Sequence, residues 1–204
     1  RLEFARRVAA GEPAPAARAH VEPIALAVRP LFNPHLNYVT YLAAALRPVI
    51  EPWDGERGTT WIGAGLGRYD REWTDERGFE LIETSRGPLR HRRLYFGSST
   101  WNGHYAEVSN SFLWPLFHLV RHDLPAVTGY YPAPAPPTDA DWRSYLAVNT
   151  AFAEAAAEEP HAGWCWVHDY QLALVPGLLR ARGASGPIGF FLHTPFPDIE
   201  VAHR

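Results

Sequence analysis

Two apolar runs that stop at a histidine constrain this chain more than anything else in it. The first is Trp164-Cys165-Trp166-Val167-His168-Asp169, and the second is Ile188-Gly189-Phe190-Phe191-Leu192-His193. Between them, residues 172–182 carry Leu174, Leu178 and Leu179 at helical spacing, with Gly183 and Gly186 as stops. Short apolar runs separated by one amphipathic helix predict two buried parallel strands, at 164–167 and 188–192, joined by a crossover. Such crossovers are right-handed in nearly all cases, and parallel strands bring both C-terminal ends to one edge. His168, Asp169 and His193 then share a rim, and that is the edge where open α/β folds bind ligands.

Upstream, the pattern is less regular. Residues 1–23, rich in Ala, Arg and Pro, are only weakly placed, with a helix predicted over 2–10. Strands are predicted at 24–28, 59–62, 79–83 and 92–96, and helices at 38–50 and 110–120. The segment 125–137 (PAVTGYYPAPAPP) reads as a stiff extended loop. A long helix is predicted over 139–159, with Asp139 as its N-cap and AFAEAAAEE as a strong helix-forming stretch. The arginine-rich run 86–93 reads as a solvated loop or turn.

Composition narrows the classes of function. The 204 residues are 47% apolar and 20% charged, with a net charge of -3, which is ordinary for a globular domain with a real core. No basic stripe is visible, so nucleic acid is not an expected partner. No apolar run approaches the ~18 residues of a membrane span, and no signal-peptide pattern opens the chain. The single cysteine, Cys165, reads as a small buried hydrophobe and suits a reducing, cytoplasmic compartment. The chain starts at Arg1, lacks methionine and stops directly after a motif, so a piece of a longer protein is expected.

The rim residues have two readings each. Asp169 can accept hydrogen bonds from two sugar hydroxyls, and it can equally cap the following helix. His193 can donate to a hydroxyl or a developing oxyanion, or it can bond a backbone carbonyl as a core histidine. Strict alternation turns His168 to the other face, in a structural role. No close pair of metal ligands, no nucleophile elbow and no Walker loop is present, and no metal or other cofactor is expected. Gly63, Gly65 and Gly67 form a weak phosphate-loop signal.

The ordered motifs NSFLWPLFH (110–118), WVHDYQLALVPGLLR (166–180) and IGFFLHTPFP (188–197) resemble the trehalose-6-phosphate synthase family. The resemblance covers residues 95–204, and WRSYLAVNTAF (142–152) is similar to that family's linking helix. It implies a retaining glycosyltransferase of the GT-B fold, with two Rossmann-like domains facing across a cleft. The whole chain, 1–204, would be the N-terminal, acceptor-side domain: α/β, a parallel sheet with helices on both faces. The nucleotide-sugar domain would lie outside it. The implied reaction moves glucose from UDP- or GDP-glucose to glucose 6-phosphate in trehalose biosynthesis. Its partners would be small-molecule substrates, and homo-oligomerisation stays open.

Carried over by position, Tyr105 and Trp114, nine residues apart, match the aromatic pair that flanks the acceptor. Asp169 matches the aspartate on the acceptor hydroxyls, His193 the histidine beside the reacting centre, and Trp61 a further aromatic of the acceptor site. Arg29 is the nearest candidate for the family's acceptor-phosphate arginine. Leu36-Asn37-Tyr38 stands where the family has a Gly-Gly-Leu turn against the donor phosphates, and a Cβ there obstructs close backbone approach. Three alternatives follow: a sister enzyme using glycerol 3-phosphate or a cyclitol phosphate, a non-catalytic sugar-phosphate binder, and a ligand-free interaction domain.

Overall fold

A computed structural model describes residues 52–66, 70–84, 87–118, 136–159, 163–194 and 196. The expectations for residues 2–10, 24–28 and 38–50, Arg29, and residues 36–38 lie outside these, as does most of the segment 125–137. The chain forms two compact units, the first ending at Tyr95 and the second beginning at Phe96.

In the first unit, three strands form a mixed sheet: β1 (Thr60–Ala64), β2 (Phe79–Thr84) and β3 (Gly87–Leu94). β3 is central, parallel to β1 and antiparallel to β2. The arginine-rich run is therefore not a solvated loop. It is a strand, and Arg92 and Arg93 are both buried. Its charges are answered from far away in sequence. The Arg93 guanidinium donates to Asp70 at 2.7 Å and to Glu80 at 2.6 Å, and Glu80 also lies 2.9 Å from Nδ1 of His91. On the other face, the guanidiniums of Arg90 and Arg92 lie over Phe79, 3.9 and 5.1 Å from its ring centre. Gly63 and Gly65 have packing reasons to be glycine: a Cβ would press on the His91 ring at Gly63 and collide with the Tyr95 ring at Gly65.

The second unit opens with a continuous helical run. One α-helical turn, α1 (Ser98–Trp101), passes into a π-helix (Asn102–Leu113) and back into α2 (Trp114–Phe117). The run begins twelve residues before the predicted start at 110, and its wide turns were not expected. α3 (Asp139–Ala157) packs against the π-helix. Its N-cap is Thr138 rather than Asp139, because Thr138 and Asp141 form a reciprocal capping box. The core between these helices holds Val108, Tyr145, Val148 and His104.

The strand–helix–strand unit forms, its first strand one residue later than predicted and its second ending one residue earlier, but the second strand is not buried as expected: Gly189, Phe190 and Phe191 are exposed. β4 (Cys165–His168) and β5 (Ile188–Phe191) are parallel, with Cys165 opposite Ile188 and His168 opposite Phe191. A short 3-10 turn (Tyr170–Leu172) precedes α4 (Val175–Ala181), where one helix was predicted. Gly183 closes α4 with φ 87°, a conformation that favours glycine.

His104 gives this core a pH dependence. It is 1% exposed, stacked on Tyr145 and near Trp101, and its Nδ1 has no hydrogen-bond partner among the described residues. Burial lowers its pKa from 6.5 to about 4. The unfolded chain therefore takes up a proton first as pH falls, and stability is lost across that window. We expect about 3 kcal/mol of this loss between pH 6.5 and 4 to disappear in His104→Leu, read by urea denaturation at stepped pH. An unchanged pH slope in the variant would exclude this assignment.

Candidate functional site at the C-terminal edge of strands four and five

The turn after β4 holds Asp169 in a conformation that L-residues avoid, φ 71° and ψ 167°. That region belongs almost entirely to glycine and costs on the order of 1–3 kcal/mol elsewhere. Several bonds hold it. The Asp169 amide donates to Phe191 at 2.8 Å, and the Leu172 amide donates back to the Asp169 carbonyl at 3.1 Å. The Asp169 carboxylate accepts from the Tyr170 amide at 3.1 Å and faces the His193 amide at 3.5 Å. It thus caps the 3-10 turn, not the helix it was predicted to cap, whose N-cap is Leu174.

α3 clamps the same turn from beneath. The Tyr145 hydroxyl donates to the Tyr170 carbonyl. Asn149, fully buried, donates to the Gln171 carbonyl at 3.1 Å and accepts from the Leu174 amide at 3.1 Å. The Tyr170 carbonyl also accepts from the Ala173 amide at 3.4 Å, so Tyr145 adds to a bond the turn already makes. Neither Tyr145 nor Asn149 was singled out from the sequence, because their partners lie 22 to 25 residues away.

The π-helix packs on the same turn, with Tyr105 on it and Trp114 directly after it. In an α-helix, at 3.6 residues per turn, nine residues make about two and a half turns and face opposite ways. The wider i→i+5 turns of the π-helix reduce the angle per residue and bring the two toward a common side. Tyr105 lies close enough to Tyr170 to help raise its phenol pKa, after the larger effect of burial and that of Asp169. Trp114 is stacked on His118, with ring centres 4.1 Å apart, and His118 donates from Nδ1 to the Trp114 carbonyl at 2.7 Å. His118 is also an electrostatic neighbour of Asp169. It lies inside the NSFLWPLFH motif and was missed because nothing local marks it.

Burial raises the Asp169 pKa, opposed by the Tyr170 and His193 amides and by His118. The carboxylate is thus held in a poorly solvated place among hydrogen-bond donors. His193 is half-buried, and burial lowers its pKa and that of His168. His168 is not turned away as alternation predicted. Its Nδ1 lies 3.2 Å from Nε2 of His193. The pairing of His168 with Phe191 puts residues 168, 191 and 193 on one face, a register that the sequence does not display. Two buried polar atoms, Asn110 Oδ1 and Thr194 Oγ1, have no hydrogen-bond partner among the described residues. Asn110 lies in the π-helix that runs into Trp114, and Thr194 directly follows His193; unpaired buried polar atoms are uncommon in folded proteins. Cys165 is half-buried with its thiol pKa raised by burial, as fits a packing role. Trp61 lies on β1 in the first unit, opposite His91.

The parallel strand pair thus carries a carboxylate and two histidines at its C-terminal edge, the edge where open α/β folds bind ligands. Solved structures with this fold are GT-B enzymes. One of trehalose-6-phosphate synthase superposes with a TM-score of 0.58 at 25% identity, over 79% of this chain and 30% of that one. Another, of a trehalose-6-phosphate synthase studied with bisubstrate glycomimetics for glycosyl transfer with retention, gives a TM-score of 0.55 at 25% identity over 81% and 32%. The alpha,alpha-trehalose-phosphate synthase [UDP-forming] A of Dictyostelium discoideum is 34% identical over 143 residues, 69% of this chain and 17% of that protein. The chain thus spans less than a third of that relative. Residues 45–204 match the model of glycosyltransferase family 20, and the chain belongs to that family.

The strain at Asp169 separates stability from function. Asp169→Gly and Asp169→Ala both remove the carboxylate, but only glycine is at ease at φ 71°. We expect the Gly variant to be more stable than the Ala variant by about 1 kcal/mol or more in chemical denaturation, with both lacking the carboxylate's function. Equal stabilities would mean that the backbone there is not strained.

Proposed function

We propose that the full-length protein transfers glucose from a nucleotide sugar, UDP- or GDP-glucose, to glucose 6-phosphate with retention, and that this chain is its acceptor-side half. The observation that supports this reading is Asp169: a buried carboxylate on a strained turn, facing the His193 amide and with His118 as an electrostatic neighbour, within a family-20 chain. A carboxylate of this kind accepts from two neighbouring hydroxyls, which is what a pyranose offers. Aromatic faces suit its C–H surface, and a tyrosine hydroxyl suits a phosphate oxygen.

The reaction needs no protein nucleophile. The bond from the sugar's anomeric carbon to the leaving phosphate breaks, and the bond to the acceptor oxygen forms on the same face. The acceptor proton goes to the leaving phosphate. Asp169 orients the acceptor, and His193, two residues beyond β5, contacts the donor sugar as charge develops. His118, stacked on Trp114 beside Asp169, adds a further polar group to the acceptor side.

In the full-length protein, His193→Ala should lower kcat by about a hundred-fold or more and leave the acceptor KM within about three-fold. Asp169→Ala should raise acceptor KM as well as lower kcat. Glucosyl transfer from UDP- and GDP-glucose to glucose 6-phosphate and to glycerol 3-phosphate, followed by product NMR, checks both the acceptor and the anomeric outcome. Transfer to glycerol 3-phosphate alone, or an inverted product, would rule this reading out.

A further inference from the structure

The two rim histidines form one unit. Their ring centres are 5.5 Å apart with planes inclined by 27°, and Nδ1 of His168 meets Nε2 of His193 at 3.2 Å. The pair is walled by aromatic rings. Trp166 lies 4.7 Å from the His168 ring, and Phe191 lies edge-on to His193 at 4.6 Å and 6.4 Å from His168. A flip of either ring would exchange the facing nitrogen for a carbon and break the bond.

We propose that His168 is a positioning residue for His193: the Nδ1–Nε2 hydrogen bond sets the orientation and the tautomer of the His193 imidazole. Two facing ring nitrogens hold one proton between them in the neutral pair. If it belongs to His168, both rings are the Nδ1–H tautomer; if it belongs to His193, both are Nε2–H. Either way the tautomers match, and the other nitrogen of His193 has a fixed character as donor or acceptor. Burial keeps both rings neutral near neutral pH, which preserves this arrangement. The consequence for turnover rests on the transferase reading above, whereas the ring pair does not.

The side-chain amide of asparagine reaches the place of a histidine Nδ1, and that of glutamine the place of Nε2. His168→Asn therefore keeps a partner for His193 and His168→Gln does not. In the full-length protein with nitrogen-15-labelled histidine, long-range proton–nitrogen spectra near neutral pH should show one matched tautomer for residues 168 and 193. In His168→Phe the His193 nitrogens should shift to a mixed tautomer signature. Turnover should drop by about ten-fold with acceptor KM unchanged, and His168→Asn should recover most of it while His168→Gln should not. If the Phe variant does not fold, the Asn and Gln pair decides by the same readouts. An unchanged His193 spectrum in His168→Phe, equal damage from Asn and Gln, or a pair whose signals move on treatment with a chelator would each overturn the proposal. Matched tautomers in a protein that transfers no glucose would uphold the ring pair and remove only the reaction.

Discussion

The left-handed backbone at Asp169 is what the second unit is built to hold. A φ of 71° lets the chain leave β4 and turn the carboxylate back among the Tyr170 and His193 amides instead of following the alternation of the strand. Such a conformation persists only where surrounding bonds over-determine it. Here they come from three elements: β5 through the Phe191 carbonyl, the 3-10 turn through the Leu172 amide, and α3 through Tyr145 and Asn149. The capping box at Thr138 and the core around Val148 therefore matter to the site as well as to stability, because they fix the helix that holds the turn.

The π-helix serves the same end from the opposite direction. It is an uncommon backbone, most often seen as a single turn at functional sites. Twelve residues of it separate α1 from α2, and Tyr105 lies near its start while Trp114 directly follows it. The wider turns bring residues nine apart toward one side of the helix. Stacking of Tyr105 on Trp101 and of Trp114 on His118 stiffens both rings. Rigid aromatic walls and a fixed carboxylate are what positioning a sugar requires, since a small misplacement of the reacting atoms is costly in rate.

The first unit shows how charge misleads when read locally. A run with arginines at 90, 92 and 93 looks solvated because its neighbours in sequence supply no counter-charge. Asp70 and Glu80 supply it from 23 and 13 residues away, and Phe79 offers its ring to the other face. Arginine tolerates this because its planar fork bonds two carboxylates at once and its flat face stacks on aromatics.

The sequence by itself determined the strand–helix–strand unit, its parallel sense, the closing glycine at 183 and the family. Each of these follows from short-range signals: apolar runs of strand length, helical spacing of leucines, a residue that accepts positive φ, and ordered motifs. Most of the long helix was legible too, and only its cap was misread, since Thr138 and Asp139 are both good caps and the reciprocal partner Asp141 decides between them. Tertiary structure alone decided that His168 faces His193, that His118 belongs beside Asp169, and that Asn149 holds the turn. These depend on strand register and on which helix packs beneath which loop. Both are set by contacts between residues far apart in sequence, where no local propensity carries the information.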